Sequence, residues 1–168
     1  MFLTKTFAIE ECIKVGFNNW TGTYNTGTDT YPYIQITGYD VSPNITLPSK
    51  WKVNYKFKNL RNDETSWGSG LWIIGNDANN GVLIGHEGSS KRIRIYSRSG
   101  GGNTPVGTEN NVYNYQTWTD AEISYNNGTI SITVGGKTLS TTLSSAVIMQ
   151  FYTKYEEMRI AEWKIKPL

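Results

Sequence analysis

Apolar residues recur at every second position in one segment of this chain after another. In the segment WKVNYKFK, Trp51, Val53, Tyr55 and Phe57 alternate with lysines and an asparagine. A period of two sends successive side chains to opposite faces, so such a segment forms a β-strand with one face in a core and one in water. We predict strands at 51–58, 92–96, 121–125, 130–134, 149–152 and 163–166, and further strands at 33–39, 70–74 and 81–86.

Asparagine and glycine lie between these segments. Asn127-Gly128 and Gly135-Gly136 readily adopt the positive φ angles of tight hairpin turns. They predict an antiparallel meander over residues 118–143, whereas SGGGN at 99–103 predicts a long mobile loop. Many short strands joined by frequent turns, without a linker, predict an all-β protein, a two-sheet antiparallel sandwich forming a single domain over 1–168.

Charge and cysteine content exclude several classes of protein. The formal charge is +2, too close to neutral for a dedicated polyanion binder, so we expect no nucleic-acid partner. Cys12 is the only cysteine, so the chain has no intrachain disulfide. No apolar stretch approaches the roughly 18 residues of a membrane helix, and the N-terminal segment lacks the pattern of a secretory signal. We therefore expect no membrane insertion.

The order of the strand segments resembles a known fold. WKVNYKFKN, SGLWIIGN, NGVLIGHE and KRIRIYSRS, followed by TWTDAEISYNNGTISITVGG, VIMQFYT and RIAEWKIKPL, resemble residue patterns of concanavalin A-like lectin/glucanase (laminin-G-like) jelly rolls. The resemblance covers about residues 51–168, and the loops are similar to those of carbohydrate-binding modules on bacteriophage tail and baseplate proteins. It implies a jelly-roll sandwich that binds glycans, for host or cell-surface recognition, in a virion or outside the cell.

Candidate catalytic residues are sparse. Asp120 and Glu122 share a strand face near Trp118, but the Glu-x-Asp-x-Glu pattern of the glucanase branch lacks its third carboxylate here. His86 is the only histidine, so a nucleophilic triad would depend on it and a multi-histidine metal site is excluded. We predict a non-catalytic protein without cofactor or metal, in which the two carboxylates lie on a solvated face. A cleft containing them beside Trp118 would favour the alternative, a glycoside hydrolase or polysaccharide lyase.

One strand predicts the binding surface. If Ile93 and Ile95 face the core, then Arg92, Arg94, Tyr96 and Arg98 face outward. Aromatic rings can stack on the apolar face of a sugar, while arginine, glutamine and histidine can hydrogen-bond its hydroxyls. On the neighbouring strands either Trp72, or else Leu71 and Ile73, shares this face. The predicted glycan surface comprises Trp67, Trp72, His86, Arg92, Arg94, Tyr96, Arg98, Gln150 and Tyr152. Trp20, Trp51, Trp118 and Trp163 are assigned to core or edge packing.

Several alternatives stay open from the sequence. The surface aromatics could instead contact another chain, as in a structural or protein-binding decoration domain. The oxygen-rich turn 76–80 could hold calcium near Asp77, although one carboxylate binds it weakly. We expect a cell-surface polysaccharide or another glycan as the partner, and an oligomeric arrangement within a larger assembly would strengthen weak sugar binding.

Overall fold

The all-β architecture follows from the two-residue period. The computed structural model describes residues 23–25, 29–31, 33–42, 44–60, 70–88 and 90–168. These residues form twelve β-strands and no helix, and all strand pairs are antiparallel. The strands are β1 (Thr23–Asn25), β2 (Tyr33–Val41), β3 (Ile45–Thr46), β4 (Trp51–Asn59), β5 (Leu71–Asp77), β6 (Asn80–Glu87), β7 (Arg92–Ser99), β8 (Gly102–Glu109), β9 (Thr119–Asn126), β10 (Thr129–Val134), β11 (Lys137–Thr142) and β12 (Ile148–Pro167).

The strands form two sheets that share β12. Along the hydrogen-bonded path the order is β11-β10-β9-β4-β12-β5-β6-β7-β8. The first residues of β12 pair with β5 and β3, its middle pairs with β2, and its last residues pair with β4. We call β5–β8 with the first part of β12 sheet I, and β4 and β9–β11 with the last part of β12 sheet II. The two sheets pack face to face, which confirms the predicted antiparallel jelly-roll sandwich.

The core lies between the sheets and is rich in aromatic rings. In β4, Trp51, Val53, Tyr55 and Phe57 are at most 3% exposed, as their period predicts. The ring of Tyr55 meets Trp72 of β5 edge-on, with 5.5 Å between ring centroids. Such edge-to-face pairs add to the free energy gained by burying apolar area. The alternation in β4 therefore fixes which of its faces becomes the outer surface of sheet II.

A second apolar cluster covers the outer face of sheet I. Leu71, Ile73, Leu83 and Tyr96 are each at most 6% exposed, and Tyr152 packs against them. Both faces of β5 and β6 are therefore buried, which explains why these strands carry continuous apolar runs instead of alternating ones.

The hairpin turns follow the glycine and asparagine signals, with one correction. The meander β9–β10–β11 is confirmed, with positive φ at Asn127, Gly128, Gly135 and Gly136. The prediction of a long mobile loop at 99–103 is wrong, because Gly100-Gly101 makes a tight turn between β7 and β8. The side chain of Arg98 donates hydrogen bonds to the carbonyl of Gly101 and to Asn103, which ties the two strands together.

Candidate functional site

The predicted arginine–tyrosine row faces outward, as its period requires. Ile93 and Ile95 are fully buried in the core, and the side chains of Arg92, Arg94 and Arg98 lie on the opposite face of β7. Sheet II packs against the face that carries the isoleucines, so it does not cover the arginines. The orientation predicted for β7 is confirmed.

Two residues of the predicted glycan surface lie on the wrong face for that role. Trp72 is 1% exposed and packs its ring 4.6 Å from that of Phe151 in the core. His86 is equally buried, with its ring 4.4 Å from Phe57, and its Nε2 shares a 2.6 Å hydrogen bond with the hydroxyl of Tyr55. The prediction that they reach the surface is wrong, because Leu71 and Ile73 occupy the outer face of β5 and Leu83 that of β6, which turns Trp72 and His86 towards the core.

Other residues of the predicted glycan surface hold the sheet together. Tyr96 is 2% exposed and donates its hydroxyl proton to Glu87, so its ring offers no open stacking face. Burial and this hydrogen bond raise the pKa of Tyr96 to about 12. Arg92 and Arg94 form ion pairs with the same buried Glu87. These contacts use part of the hydrogen-bonding capacity of the three side chains inside the protein, and glycan binding by Arg92 and Arg94 stays a prediction.

The remaining predicted residues are placed as follows. Arg98 donates from Nε to the carbonyl of Ala78 at 2.7 Å, besides its bonds to Gly101 and Asn103. Gln150 donates to the carbonyl of Ser42 at 3.2 Å, and Tyr152 is half-buried beside the outer cluster. Trp67 lies outside the described residues.

A cleft of about 630 Å³ lies on the other side of the molecule, on the outer face of sheet II. Strands β4, β9, β10 and β12 form its floor, and the segment before β9 forms one wall. Its polar and aromatic lining includes Asn54, Lys56, Trp118, Asp120, Glu122, Thr133, Glu162 and Lys164. The cleft therefore combines charged groups of both signs with hydroxyl, amide and indole groups.

Strand register brings residues from distant parts of the sequence into this cleft. Asn54 lies opposite Glu122 on one side and opposite Lys164 on the other. On the far side of β9, Glu122 lies opposite Thr133 of β10, which in turn lies opposite Thr138 of β11. Neighbouring strands are about 4.8 Å apart, so this polar row crosses about 19 Å of the sheet.

Ion pairs hold most of the charged groups of the cleft. Lys56 Nζ lies 2.5 Å from Asp120 and 3.9 Å from Glu162, while Glu122 accepts from Lys52 and Asn54, each at 3.0 Å. The hydrogen bond with Asp120 raises the pKa of Lys56. Partial burial alone would raise the pKa of Glu122, but the hydrogen bonds from Lys52 and Asn54 bring it below its usual value. The floor thus presents alternating donors and acceptors with nearly balanced charge.

Glu162 reaches the cleft from an irregular point in β12. The register between β12 and β4 shifts between Ala161 and Lys164, which marks a β-bulge. Glu162 has φ +51°, a left-handed conformation that is unfavourable for a residue with a Cβ. Bulges often re-aim side chains beside functional sites, and this one places the Glu162 carboxylate among the cleft residues.

Trp118 forms the aromatic wall. Its indole is half-buried, and Tyr31 packs edge-on against it with 5.4 Å between ring centroids. The indole Nε1 donates to Asp29 at 2.9 Å, and Lys58 Nζ lies 5.6 Å from the ring centroid. Trp118 also lines the cleft.

The sequence names residues of this site but does not place the predicted glycan surface on them. It predicts packing for Trp118 and a solvated face for Asp120 and Glu122, with a cleft containing the three as the alternative; all three line the cleft. Asp120-x-Glu122 lies opposite the outward row Lys52-x-Asn54-x-Lys56, a complementary charge pattern. Recognising it required knowing that β4 and β9 are neighbours.

No metal centre is evident among the described residues. Asp77 accepts hydrogen bonds from the amides of Asn79 and Asn80 and from the Asn80 side chain, so its carboxylate closes the β5–β6 turn. No group of three or more His, Cys, Asp or Glu side chains in the described part of the chain is arranged to hold a metal ion. Within that part, no helix has the length and apolarity needed to cross a membrane.

Solved structures share the fold at very low sequence identity. Neither protein-family models nor curated protein sequences match the chain. The carbohydrate-binding module CBM66 from Bacillus subtilis superposes with a TM-score of 0.64 at 10% identity, over 99% of both chains. The exoplasmic/lumenal domain of VIP36 bound to Ca²⁺ and Man3GlcNAc gives 0.61 at 11% identity, over 88% of this chain and 82% of that one. The carbohydrate recognition domain of Emp47p gives 0.55 at 11% identity, over 89% of both chains. One of these neighbours is a carbohydrate-binding module, one is a carbohydrate recognition domain and one was solved with Man3GlcNAc, and the likeness shows the jelly-roll fold.

Proposed function

We propose that this chain is a non-catalytic glycan-binding module whose ligand lies in the cleft of sheet II. The observation that carries the proposal is the combination of Trp118 with a floor of alternating donors and acceptors in one open cleft. A sugar has apolar CH faces that can pack on an indole and hydroxyls that both donate and accept. Lysine and asparagine supply donors here, while carboxylate and threonine oxygens supply acceptors.

The charge pattern favours a neutral, hydroxyl-rich ligand. Lys56 and Lys164 face Asp120, Glu122 and Glu162 in the cleft, and Glu122 also binds Lys52. A strongly anionic or cationic ligand would meet repulsion from the cleft charges of its own sign. A chain of sugars could instead follow the polar row across the strands and insert its hydroxyls between these groups.

The solved structures support glycan binding independently of the cleft residues. CBM66 is a carbohydrate-binding module, Emp47p contributes a carbohydrate recognition domain, and VIP36 was solved with mannose-containing ligands. At 10–11% identity their sites cannot be transferred residue by residue. The neighbours support a glycan as the class of ligand, and the cleft residues support the place where it binds.

We further propose a biological setting of host or cell-surface recognition, in a virion or an extracellular protein. The loop composition that is similar to phage tail and baseplate modules supports this setting. A cell-surface polysaccharide offers many repeated sites, so several copies of a weakly binding module in one assembly would gain avidity.

A hydrolase is the second candidate, and one observation favours it. Asp120, Glu122 and Glu162 line the cleft beside Trp118, which is the arrangement that the sequence pattern alone did not contain. Glycoside hydrolysis needs a general acid that stays protonated near neutral pH, and hence a carboxyl group with a raised pKa. Glu122 instead has a lowered pKa, and Asp120 is bound to Lys56 and largely exposed. These features support binding without hydrolysis.

A glycan array with cleft variants tests the proposal. We expect Trp118→Ala to weaken binding of any glycan hit by at least about tenfold, as loss of an aromatic hot spot does. Asn54→Ala should weaken it less, while Asn103→Ala, in the β7–β8 hairpin outside the cleft, should leave it unchanged.

Other outcomes would redirect the assignment. Binding that survives in both cleft variants but is lost in Arg94→Ala would return the site to the predicted glycan surface. Release of reducing ends from a bound polysaccharide would establish the hydrolase. Binding to another polypeptide alone, with no glycan hit, would identify a decoration domain.

A further inference from the structure

Asp29 is a buried carboxylate at the back of the cleft wall. Its side chain is 7% exposed and lies in the short segment before β2. It accepts hydrogen bonds from Lys58 Nζ at 2.9 and 3.1 Å, from Arg159 at 2.6 Å, from the amide of Thr30 at 2.8 Å and from Trp118 Nε1 at 2.9 Å. Trp118 is the one among these donors that also lines the cleft.

The two cations keep the Asp29 carboxylate charged and in place. Burial alone would raise the pKa of Asp29, but the hydrogen bonds from Lys58, Trp118, Thr30 and Arg159 bring it far below its usual value. Lys58 and Arg159 belong to neighbouring strands and lie directly opposite each other in β4 and β12. The carboxylate is thus anchored to the rigid part of sheet II.

The hydrogen bond to Asp29 fixes the rotation of the Trp118 side chain. An indole has one polar hydrogen, so a single well-placed acceptor selects one orientation of the ring. Tyr31, two residues after Asp29, meets the same ring edge-on, with an angle of 86° between the ring planes. The hydrogen bond and the ring contact therefore come from one short segment and act on one side chain.

We propose that Asp29 is a positioning residue for the glycan site: it holds the indole of Trp118 in the orientation that forms the cleft wall. This inference rests on the proposed function, and it adds a residue outside the cleft that controls affinity. A ring fixed before binding loses less conformational freedom when the ligand stacks on it. Asp29 would therefore contribute to affinity without touching the ligand.

Hydrogen exchange of the tryptophan indole N–H groups tests this inference without a ligand. The Trp118 resonance is assigned by its loss in Trp118→Phe. We expect Asp29→Ala to speed exchange at the Trp118 indole by about tenfold or more, which corresponds to about 1.4 kcal/mol, because the indole loses its hydrogen bond to a charged acceptor. Trp51, whose indole donates to the carbonyl of Ala146, is the internal control and should be unchanged.

Binding to soluble mannan, xylan, laminarin and levan by affinity electrophoresis gives the functional readout. Asp29→Ala should weaken any binding by about the same factor as it speeds hydrogen exchange at the Trp118 indole. Asp77→Ala removes a hydrogen-bonded carboxylate from the β5–β6 turn and should leave binding unchanged. Asp29→Asn keeps an acceptor oxygen for the indole but places an NH2 group against Lys58 and Arg159, so we expect exchange and binding between those of wild type and Asp29→Ala.

Each outcome decides between the two claims. Two results with a folded Asp29→Ala variant would show that the positioning role is wrong. One is slow exchange of the Trp118 indole N–H as in wild type; the other is faster exchange without weaker binding. If Asp29→Ala does not fold, Asp29→Asn decides: parallel loss of Trp118 protection and of binding supports the positioning role, and loss of only one of them, or of neither, overturns it. If wild type binds none of the polysaccharides, the proposed function fails, and the exchange data alone decide whether Asp29 holds the indole.

Discussion

His86, the only histidine in the chain, lies inside the sandwich. Its Nε2 is hydrogen-bonded to the Tyr55 hydroxyl, and its ring packs against Phe57. Burial lowers the pKa of His86 from 6.5 to about 3, since a charged imidazolium would be poorly solvated between the sheets. The residue is therefore a neutral core side chain and a source of pH-dependent stability.

We predict that the protein loses stability as the pH falls below about 6.5. In the unfolded chain His86 binds a proton near pH 6.5, whereas the folded protein resists it down to about pH 3. The unfolded state thus binds more protons between these values, so the free energy of unfolding decreases by up to about 1.4 kcal/mol per pH unit as the pH falls. Urea unfolding at pH 7.0, 6.0 and 5.0 measures this slope.

The control for this prediction is His86→Gln. The variant should be less stable at pH 7, because it disturbs a packed core, but its stability should be nearly independent of pH between 7 and 5. Carboxylates such as Asp29, whose pKa is lowered in the folded protein, stop stabilising the fold only at lower pH, where they become protonated. An equal slope in wild type and His86→Gln would contradict the assignment to His86.

At the residue scale, the sequence predicts the facing of some side chains better than others. In β7 the charged and apolar residues alternate, so the outward direction of Arg92 and Arg94 could be predicted. In β5 both faces are apolar, so the period could not decide between Trp72 and its neighbours. Trp118 precedes β9 and belongs to no alternating run, so its place in the cleft depends on Asp29, 89 residues away.

At the element scale, the bulge in β12 connects local strain with the cleft. A regular strand that buries Ile160 would also turn Glu162 and Lys164 towards the core and Trp163 towards solvent. The register shift lets Trp163 stay in the core at 4% exposure while both Glu162 and Lys164 line the cleft. Backbone strain of this kind costs about 1–2 kcal/mol and persists where the surrounding structure imposes it.

We predict that Glu162→Gly stabilises the protein and weakens glycan binding. Glycine adopts φ +51° without strain, which should outweigh its greater entropy in the unfolded chain and raise the free energy of unfolding by about 1 kcal/mol. That gain corresponds to roughly 2–4 °C in Tm for a domain of this size. Thermal unfolding and affinity electrophoresis measure the two effects.

Glu162→Ala separates strain from the carboxylate. It removes the same charged group but keeps a Cβ at the strained position, so it should weaken binding to the same degree without the gain in Tm. The ion pair with Lys56 is half-exposed at 3.9 Å, and its loss should hardly affect stability. A lower Tm for the glycine variant than for the alanine variant would show that the bulge is not strained.

The sequence predicts elements well where local signals agree and poorly where they conflict. Strands β9 and β10 carry strict alternation and are joined by Asn127-Gly128, so their limits and pairing were predictable. Strand β8 contains two glycines, two threonines and Pro105, a composition unusual for a strand. β8 lies at the edge of sheet I, next to β7, where a strand tolerates proline. A register shift between β7 and β8 beside Pro105 accommodates that residue.

At the scale of the whole molecule, β12 is the element that couples the sheets. Its first residues lie beside β5 and its last residues beside β4, so neither sheet is complete without it. Two core residues of β12, Phe151 and Trp163, pack their rings against Trp72 of β5. A strand of 20 residues that is shared in this way makes separate unfolding of the two sheets unfavourable.

We predict that a small core change in either sheet lowers the stability of both by the same amount. Ile132→Val in β10 and Ile84→Val in β6 each remove one methylene group from a fully buried side chain, at a cost of about 1 kcal/mol. Native-state hydrogen exchange of the slowest amides measures the opening free energy in each sheet. If unfolding is cooperative, Ile132→Val reduces protection at Leu83 as much as at Ile123, and Ile84→Val does the same in reverse. Protection lost only in the mutated sheet would mean that β12 does not couple them, and the cleft of sheet II would then have a stability of its own.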